Sequence, residues 1–383
     1  MDIKKLFSTI DGLYQQYLNV LIDIAKIESP TDYKIGVDNV CNYLINHAKS
    51  LGLAVEVGVQ NVSGNTACIT LNPNANGKPV CISGHMDTVH QVGGVNLNPI
   101  RIEGDKLFGP GVNDCKGGIV AGFMTIHALK ICGYTARPVK LILQSDEENG
   151  SENSNKTTVD FMVEKAKNCV CFLNAEPNPN GITIERKGIT CYKYDIKGVA
   201  AHAGNCVLGK SAIVEACHKI IELEKLKNVD SVTCNIGIIN GGTAHNIVPD
   251  ECSFIADFRY KKVADLEFIN KIANKVANTS YVQGTTCNLT CKGVRKSMEI
   301  TEKSLALYDK INDIYASCGF KKEPKISSLG GADSADISFY GIPCLDGFGT
   351  RGGDIHTNKE FCYISSLKES AYRMTAIACL IKD

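Results

Sequence analysis

The sequence predicts an α/β fold with a mostly parallel sheet, into which a smaller α+β domain is inserted. Up to about residue 187, short apolar runs alternate with helical patterns, which is typical of buried parallel strands joined by helices. In the next segment the strands alternate apolar and polar residues, as half-exposed antiparallel strands do. The first pattern returns after about residue 292. We therefore predict one domain from residues 1–187 and 293–383, and an inserted domain from residues 188–292.

Two helices open the first segment. The first should end near Ser29–Pro30, because proline disfavours the α conformation of the residue before it, and the second covers Val37 to Ala48. Further helical patterns cover Gly117–Ile131 and Thr157–Ala166. The buried strands between them are predicted in the runs ACITL, PVCIS, VKLILQS and VCFLN.

The inserted segment has the order β-α-β-β-α-β, which matches a ferredoxin-like unit. Its helices are predicted from Ser211 to Leu226 and from Asp265 to Ala277, and its strands in TCYKYDIKG, SVTCNIGII, ECSFIADFRY and TTCNLTCKG. The returning α/β segment contains a helix from Thr301 to Cys318, the loop LGGADSAD, the apolar run IPCLDGF and a last helix from about Ile364 to Ile381.

Charge and composition narrow the class of ligand. The chain has 383 residues, 41 Lys and Arg against 41 Asp and Glu, and a formal net charge of zero. A balanced charge lacks the basic surface expected of proteins that bind nucleic acids or anionic membranes. No segment approaches the ~20 apolar residues of a membrane span. The expected ligand is therefore a small molecule.

The eighteen cysteines indicate a reducing compartment. The chain is too long for a small disulfide-stapled domain, and cysteines such as Cys41, Cys81, Cys171 and Cys344 lie inside apolar runs. The pairs at 169/171 and 287/291 lack the C-x-x-C spacing of a structural zinc site. With no evident signal peptide, we predict a cytoplasmic protein.

Five potential metal ligands each follow a short apolar run. Nitrogen and carboxylate ligands without thiolate suit a zinc, cobalt or manganese hydrolytic centre. Five ligands exceed the need of one catalytic ion, so we predict two metal ions that share a bridging carboxylate and a bridging water. The candidates are His85, Asp114, Glu148, Glu176 and His356.

Each candidate also has a structural explanation. An isolated histidine is most often a hydrogen-bonded core or surface residue, although Asp87 could orient His85 for a metal by accepting its imidazole N–H. Asp114, in GPGVNDCKGG, could be a helix N-cap. This glycine-rich segment with its lysine resembles a phosphate loop, but the full phosphate-loop pattern is absent.

The acidic run at residues 146–148 could be an exposed helix start, since acidic residues favour a helix N-terminus. Two neighbouring glutamates can instead have separate roles, one binding metal and the other activating water. Glu176 taken singly could be a plain loop acid.

Seven motifs, in order and across nearly the whole chain, resemble a family of co-catalytic zinc metallopeptidases. The family includes glutamate carboxypeptidase, acetylornithine deacetylase and succinyl-diaminopimelate desuccinylase, and the likeness is strongest to the glutamate carboxypeptidase (carboxypeptidase G) branch. The motifs are HMD, FGPGVNDCKGG, DEENGS, AEP, GVAAHAG, GGTAHNIVP with DFR, and IHTNKE. This resemblance implies a phosphorylase/hydrolase-like catalytic domain and a lid domain through which the protein forms a homodimer.

The resemblance also implies a role for each site residue. Asp114 would bridge two zinc ions, with His85 and Glu176 completing one site and Glu148 and His356 the other. Glu147 would be the general base and Asp87 would orient His85. His202, Asn246 and Arg259 in the inserted domain match substrate-contacting positions, His202 being supplied across the dimer, and Arg295 is a further candidate. A cis peptide is implied at Asp114–Cys115.

The chain departs from the family pattern in two places. The loop reads GGADSAD where relatives carry a Ser-Asp or Thr-Asp pair, so no role is assigned to Asp333, Ser334 or Asp336. The proline that often follows HAG is missing. Neither change touches a ligand, and both bear on the choice of substrate.

The expected function is cleavage of an amide bond next to a free carboxylate, in a peptide or an N-acyl amino acid. The first hypothesis is a carboxypeptidase that releases a C-terminal amino acid such as glutamate. An N-acyl amino acid deacylase is the alternative within enzymes. A catalytically silent binding protein on the same scaffold is the alternative from another class.

Overall fold

A computed structural model describes residues 1–227 and 232–383. The chain divides into two compact units. The first unit comprises residues 1–185, 300–327 and 332–383, and the second comprises residues 186–299 and 328–331. The second unit therefore lies inside the chain order of the first.

The first unit contains most of the helices and an eight-stranded sheet. Up to the second unit its helices are α1 (Ile3–Lys26), α2 (Lys34–Ser50), α3 (Gly94–Leu97), α4 (Lys116–Ile131) and α5 (Thr157–Ala166). Its strands there are β1 (Ala54–Gly58), β2 (Thr66–Leu71), β3 (Val80–His85), β4 (Arg101–Glu103), β5 (Lys106–Phe108), β6 (Val139–Gln144), β7 (Cys171–Asn174) and β8 (Ile182–Arg186).

The second unit contains strands β9 (Gly188–Lys197), β10 (Ala201–His202), β11 (Val232–Gly241), β12 (Ile247–Val248), β13 (Glu251–Tyr260) and β14 (Thr286–Arg295). Its helices are a 3₁₀ helix (Ala203–Leu208), α6 (Ala212–Glu224) and α7 (Asp265–Asn278). The chain then returns to the first unit with α8 (Glu302–Ser317), β15 (Lys325–Ser328), α9 (Asp333–Phe339), β16 (Cys344–Asp346), β17 (Gly352–Gly353), β18 (Phe361–Tyr363) and α10 (Ile364–Leu380).

The large sheet has the order β1-β2-β6-β3-β7-β16-β8-β15. Its centre is parallel: β3 pairs in parallel with β6 and with β7, and β16 pairs in parallel with β7. The flank is antiparallel at β1, β2 and β6. The mixed α/β fold with a mostly parallel core confirms the predicted fold class, although the run ACITL forms an antiparallel strand.

Helix α4 is buried along almost its whole length, because it packs against α1, α10 and the sheet strands β3 and β6. Its first turn is glycine-rich for a steric reason. A Cβ atom at Gly118 would come within 1.9 Å of the Ala175 carbonyl oxygen. Only glycine allows the start of α4 to approach the end of β7 this closely.

The second unit forms a four-stranded antiparallel sheet with the order β11-β13-β9-β14. The strands and helices follow the β-α-β-β-α-β order predicted from the sequence, and α6 and α7 pack against the sheet. Its core is a cluster of apolar side chains, among them Tyr194, Phe254 and Phe258. The predicted strand SVTCNIGII starts at Ser231, which lies outside the described residues; its remainder lies in β11.

One predicted element differs in kind. The predicted loop LGGADSAD contains the start of α9, a seven-residue helix that begins at Asp333. Asp333 and Asp336 lie in its first turn, where carboxylates interact favourably with the helix dipole. The two glycines before this helix indicated a loop, so the start of the helix was not predicted. None of the described helices is both long enough and apolar enough to cross a membrane.

Candidate metal centre

The predicted ligands meet at one edge of the large sheet. His85 is the last residue of β3, Glu148 follows β6 and Glu176 follows β7. These three strands are parallel neighbours, so their carboxyl ends reach the same edge. Asp114 lies just before α4, and His356 lies between β17 and β18.

Asp114 faces two histidines with its two carboxylate oxygens. Its Oδ1 lies 3.1 Å from His85 Nε2, and its Oδ2 lies 3.2 Å from His356 Nε2. Glu176 Oε1 lies 3.5 Å from His85 Nε2, and Glu148 Oε2 lies 3.3 Å from His356 Nε2. Two pairs, each of one histidine and one glutamate, therefore flank a shared aspartate.

Asp87 supports this arrangement through hydrogen bonds. It is fully buried, and its two carboxylate oxygens accept the main-chain N–H groups of Glu147 and Glu148 at 3.1 Å each. Its Oδ2 also accepts the Thr31 hydroxyl at 2.8 Å. The nearest acceptor for His85 Nδ1 is the main-chain carbonyl oxygen of Asp87 at 3.0 Å, with the carboxylate at 3.4 Å. Asp87 thus ties the loop of the two glutamates to the histidine.

The buried carboxylates attract positive charge. Burial raises the pKa of Glu148 to about 7, although the hydrogen bond from His356 works against it. Burial also opposes ionisation of Asp114, but the hydrogen bonds from His356 and His85 hold its pKa below the usual value. The hydrogen bonds to Asp114 and Glu148 raise the pKa of His356 to about 10. Metal binding at these positions would require neutral imidazoles and ionised carboxylates, so a bound cation would replace protons there.

The donor set suits divalent cations. Three carboxylates and two imidazoles offer oxygen and nitrogen ligands, which suit zinc, cobalt or manganese. The ligand atoms of His85, Asp114 and Glu148 all lie within 4.8 Å of one another. His85, Asp114, Glu148 and Glu176 are buried or nearly so, whereas His356 is about half exposed and leaves one side open to solvent.

Two structural alternatives are wrong: Asp114 as a helix N-cap, and residues 146–148 as a helix start. The N-cap of α4 is Cys115, and the Asp114 carboxylate points to the histidines. The acidic run does not start a helix, since α5 begins only at Thr157. Its first residue, Asp146, organises the intervening turn by accepting the Ser154 N–H and the Thr158 hydroxyl.

Lys116, the residue that resembled a phosphate-loop lysine, has a structural role. It is buried, and its Nζ donates to the main-chain oxygens of Ile24 and Ile27 at 3.1 and 3.0 Å. These carbonyls lie at the C-terminal end of α1, where a cation also interacts favourably with the helix dipole. Lys116 therefore anchors α1 to the segment that carries Asp114.

Two features next to Asp114 complete the local geometry. The peptide bond Asp114–Cys115 is cis, as the family resemblance implied. The Cys115 thiol lies close to His85 and Glu176, and its Sγ accepts the main-chain N–H of His85 at 3.0 Å. Sequence reasoning assigned Cys115 no part in the site, since nothing in the motif indicated where its side chain lies.

Sequence reasoning also missed Glu360. This residue is 1% exposed, and its carboxylate accepts hydrogen bonds from the main chain of the segment that ends at Asp114. It lies four residues after His356 in the motif IHTNKE. The only available signal was its membership of that motif, because its partners lie almost 250 residues earlier in the chain.

His202 and Asn246 lie together in the second unit. His202 ends β10, which pairs with β12, and the Ala203 N–H donates to the Asn246 carbonyl oxygen at 3.0 Å. His202 is exposed, and its Nδ1 accepts the Gly204 N–H at 3.0 Å. A nitrogen that accepts carries no proton, so a neutral His202 presents its Nε2–H as a donor. In this turn, the Nε2–H of His202 is therefore the donor that could bind another molecule.

Arg259 and Arg295 lie on the strands that flank β9, and both pair with Ile189. The guanidinium of Arg259 is already held by Asp257, whose oxygens accept Nε–H at 2.7 Å and Nη2–H at 2.9 Å. Asp257 therefore accepts from the Nε and Nη2 side of the guanidinium. Arg295 is buried, with its main-chain oxygen bonded to the Tyr260 hydroxyl.

Comparisons with known proteins agree with this fold. A family model described as peptidase family M20/M25/M40 matches residues 81–379. Carboxypeptidase G2 of Pseudomonas sp. (strain RS-16) is 27% identical over 384 residues, covering 96% of this chain and 89% of that protein. A probable succinyl-diaminopimelate desuccinylase of Staphylococcus aureus (strain MSSA476) is 25% identical over 365 residues, covering 85% and 86%. The solved structure of a tripeptidase from Staphylococcus aureus superposes with a TM-score of 0.80 at 21% identity, covering 95% of this chain and 97% of that one.

Proposed function

This chain belongs to peptidase family M20/M25/M40, and on that premise we propose that it is a two-zinc carboxypeptidase that releases a C-terminal amino acid such as glutamate. Membership confirms the predicted family and makes the chain an enzyme of the metallopeptidase or amidohydrolase type, so we do not retain a silent binding protein. The observation that carries the proposal is the shared aspartate, whose Oδ1 and Oδ2 face different histidines at 3.1 and 3.2 Å.

The proposed ligands follow from the contacts around that aspartate. His85 and Glu176 would hold one cation and Glu148 and His356 the other, with Asp114 between them. Bound divalent cations would polarise the scissile carbonyl and activate the attacking water. The main-chain carbonyl of Asp87 accepts from His85 Nδ1, which leaves Nε2 as the ligand atom.

Glu147 is the proposed general base. Its main chain is fixed by the Asp87 carboxylate, and it lies next to Glu148 in the same loop. A carboxylate in this position takes one proton from the attacking water and passes it to the nitrogen of the leaving amine as the amide bond breaks. The carboxylate is thereby regenerated after each turnover.

The second unit supplies the proposed substrate contacts. Arg259 would bind the free carboxylate of the substrate through its Nη donors, with Asp257 holding the fork in place. His202 would donate its Nε2–H to the oxyanion, and Asn246 would contact the substrate beside it. Arg295 is a further candidate contact. A free carboxylate next to the scissile amide is therefore the expected mark of a substrate.

An N-acyl amino acid deacylase is the second candidate. A relative named as a probable desuccinylase covers 85% of this chain at 25% identity, which is nearly the identity of the carboxypeptidase. Both chemistries cut an amide next to a carboxylate, and the same residues would serve either. The departure at GGADSAD bears on which acyl group such a deacylase would accept.

We further propose a cytoplasmic homodimer. All eighteen cysteines are free thiols, as expected in a reducing compartment. Strand β11 is an edge of the sheet in the second unit, and its Ile238 and Ile239 are half exposed. Helix α6 packs beside β11 and exposes Val214 and Ile221. An apolar edge of this kind suits pairing with a second copy.

The test is a metal and substrate panel. The protein is dialysed against a chelator, reconstituted with zinc, cobalt or manganese, and assayed against glutamyl dipeptides, N-acetylated amino acids and N-succinylated amino acids. We expect metal-dependent hydrolysis that is fastest for the glutamyl dipeptides. Preference for the acylated amino acids would favour the deacylase. Full activity without metal would refute both.

A further inference from the structure

We propose that Glu360 is the residue that positions the bridging ligand Asp114, by holding the main chain of residues 109–114. The inference deepens the proposed function and rests on it. Neither the family motifs nor the sequence pattern assigned a role to Glu360. It is 1% exposed and lies between His356 and strand β18.

Four hydrogen bonds to Glu360 come from one segment, residues 109–114. Its Oε1 accepts the N–H groups of Asn113 and Asp114 at 3.0 Å each, and its Oε2 accepts the Gly111 N–H at 2.9 Å. Its main-chain oxygen accepts the Gly109 N–H at 3.2 Å. Because Pro110 has no N–H, residues 109–114 have five such donors, and Glu360 accepts four of them.

This segment has little structure of its own to fix it. Gly109 and Gly111 have φ values of +154° and +71°, which other residues rarely adopt. The remaining N–H, that of Val112, makes a 3.5 Å contact with the Gly109 oxygen. Buried main-chain donors need acceptors, and hydrogen bonds to a charged carboxylate are about twice as strong as neutral ones. Glu360 therefore fixes the backbone from which the Asp114 carboxylate projects.

The second oxygen of Glu360 is fixed in turn by His90. His90 Nε2 lies 2.8 Å from Glu360 Oε2, and it is the donor because an ionised carboxylate only accepts. The Asn98 side-chain amide also donates to the Glu360 main-chain oxygen at 3.0 Å. The glutamate thus cannot rotate away from the segment without losing several bonds.

Glu360 also couples Asp114 to His356. Turn bonds link residues 354–360: the Thr357 N–H donates to the Asp354 oxygen, and the Glu360 N–H donates to the Thr357 oxygen, at 3.2 Å each. His356 lies in this turn, outside the parallel strands that place His85, Glu148 and Glu176. Glu360 therefore links the segment that carries Asp114 to the turn that carries His356, next to the pairing of Phe108 in β5 with Phe361 in β18. A bridging ligand must be held to within ~0.5 Å to serve two ions.

The test compares metal binding with stability in Glu360→Ala, Glu360→Gln and a matched control, Glu215→Gln. Glu215 is equally buried, at 1% exposed, and likewise accepts main-chain N–H groups, those of Tyr281 and Val282, but it belongs to the second unit. Zinc affinity and stoichiometry are measured by calorimetry and elemental analysis, the cobalt spectrum by absorption, and folding by denaturant unfolding of the metal-free proteins.

We expect Glu360→Ala to lose ~10–100-fold in zinc affinity at both sites, the size usual for residues that orient metal ligands, and to change the cobalt spectrum. Glu360→Gln keeps one acceptor oxygen and should lose several-fold. Glu215→Gln should lower the stability of the metal-free protein and keep both zinc affinities.

Wild-type affinities in Glu360→Ala would overturn the inference. If that variant does not fold, the isosteric Glu360→Gln decides the question, and unchanged affinities there would overturn it equally. If Glu215→Gln lost as much zinc affinity as the Glu360 variants, Glu360 would contribute only to general stability. That result would also overturn the inference. A wild-type protein that binds no metal would instead refute the proposed function, so the two failures are distinct.

Discussion

Asp87 shows how one buried carboxylate can organise several parts of a site. Its oxygens accept from Glu147, Glu148 and Thr31, and its main-chain oxygen lies next to His85 Nδ1. The motif HMD predicted only the contact with the histidine. The larger role follows from the parallel pairing of β3 and β6, which brings the loop after β6 over the end of β3.

At the scale of single residues, the proposed general base gives the first prediction. Glu147→Gln should keep both metals and lose ~10²–10⁴-fold in kcat, because the amide preserves shape but cannot accept the water proton. Metal content by elemental analysis and turnover by steady-state kinetics measure the two effects.

The matched control for that variant is Glu148→Gln. It should lose metal affinity, because Glu148 Oε2 lies 3.3 Å from His356 Nε2 in the proposed second site. Loss of metal in Glu147→Gln together with normal turnover per bound ion would mean that the two glutamates exchange roles.

The shared aspartate gives the second prediction. Asp114→Ala should weaken both metals together, because its two oxygens face both histidines. His356→Ala should mainly weaken one metal, since it contacts Glu148 and only one oxygen of Asp114. Calorimetric zinc titration separates the two patterns. Two undisturbed affinities after Asp114→Ala would contradict the bridging assignment.

The sequence indicates the residues that we propose as metal ligands, but not the residues that hold other groups of the site in place. The five candidate ligands can be recognised in the sequence by their residue type and by their position after apolar runs. Glu360 holds the main chain next to Asp114, and Asp257 holds the guanidinium of Arg259. Only the fold brings Glu360 to its partners, and nothing in the printed motif specifies those contacts.

At the scale of elements, helix α7 depends on a lysine from α6. Lys219 Nζ donates to the main-chain oxygens of Val276, Ala277 and Thr279 at 2.6–3.1 Å, which satisfies carbonyls at the C-terminal end of α7. It also lies 3.0 Å from Glu215 Oε1, and both side chains are 1% exposed. The ion pair lies within α6, and the hydrogen bonds of Lys219 to the α7 carbonyls join the two helices.

Removing that lysine gives the third prediction. Lys219→Met should lower the free energy of unfolding by ~3–5 kcal/mol, because it leaves Glu215 as a buried charge without its partner. The control is Lys225→Met, which breaks the exposed pair with Glu222 and should cost less than ~1 kcal/mol. Denaturant unfolding measures both. Equal costs in the two variants would show that burial does not decide the effect.

Long elements with a clear period could be predicted, and very short ones could not. Most predicted elements lie within a few residues of their expected positions: the main helices, the four strands of the sheet in the second unit, and β2, β3, β6, β7 and β16 of the large sheet. Burial imposes a period on these parts of the sequence. The other strands of the large sheet, β1, β8 and β15, were not predicted. The two-residue and three-residue strands β4, β5, β17 and β18 went unpredicted, since so few residues carry no period. They form a separate small sheet, β17-β18-β5-β4, and β17 and β18 flank the loop that contains His356.

At the scale of the whole molecule, the proposed dimer gives the fourth prediction: His202 acts in the partner's active site. Inactive Glu147→Gln and inactive His202→Ala are dissociated and mixed. In a heterodimer, one site would then carry both lesions and the other neither. We expect activity to return toward one intact site per heterodimer.

The control for this mixing experiment is a mixture of Glu147→Gln with Asp114→Ala. This mixture would contain an intact site only if one active site took Asp114 and Glu147 from different chains. Both belong to the first unit, so this mixture should stay inactive. Continued silence of the first mixture, with heterodimers demonstrated, would contradict the trans arrangement.

The position of β16 in the large sheet bears on how the protein is made. This strand, Cys344–Asp346, lies between β7 and β8, although the whole of residues 186–299 is synthesised before it. On the ribosome, the ferredoxin-like unit can therefore fold while the larger sheet still has a gap beside β7. The newly made chain therefore carries an open, apolar strand edge at β7 until the segment that contains β16 emerges.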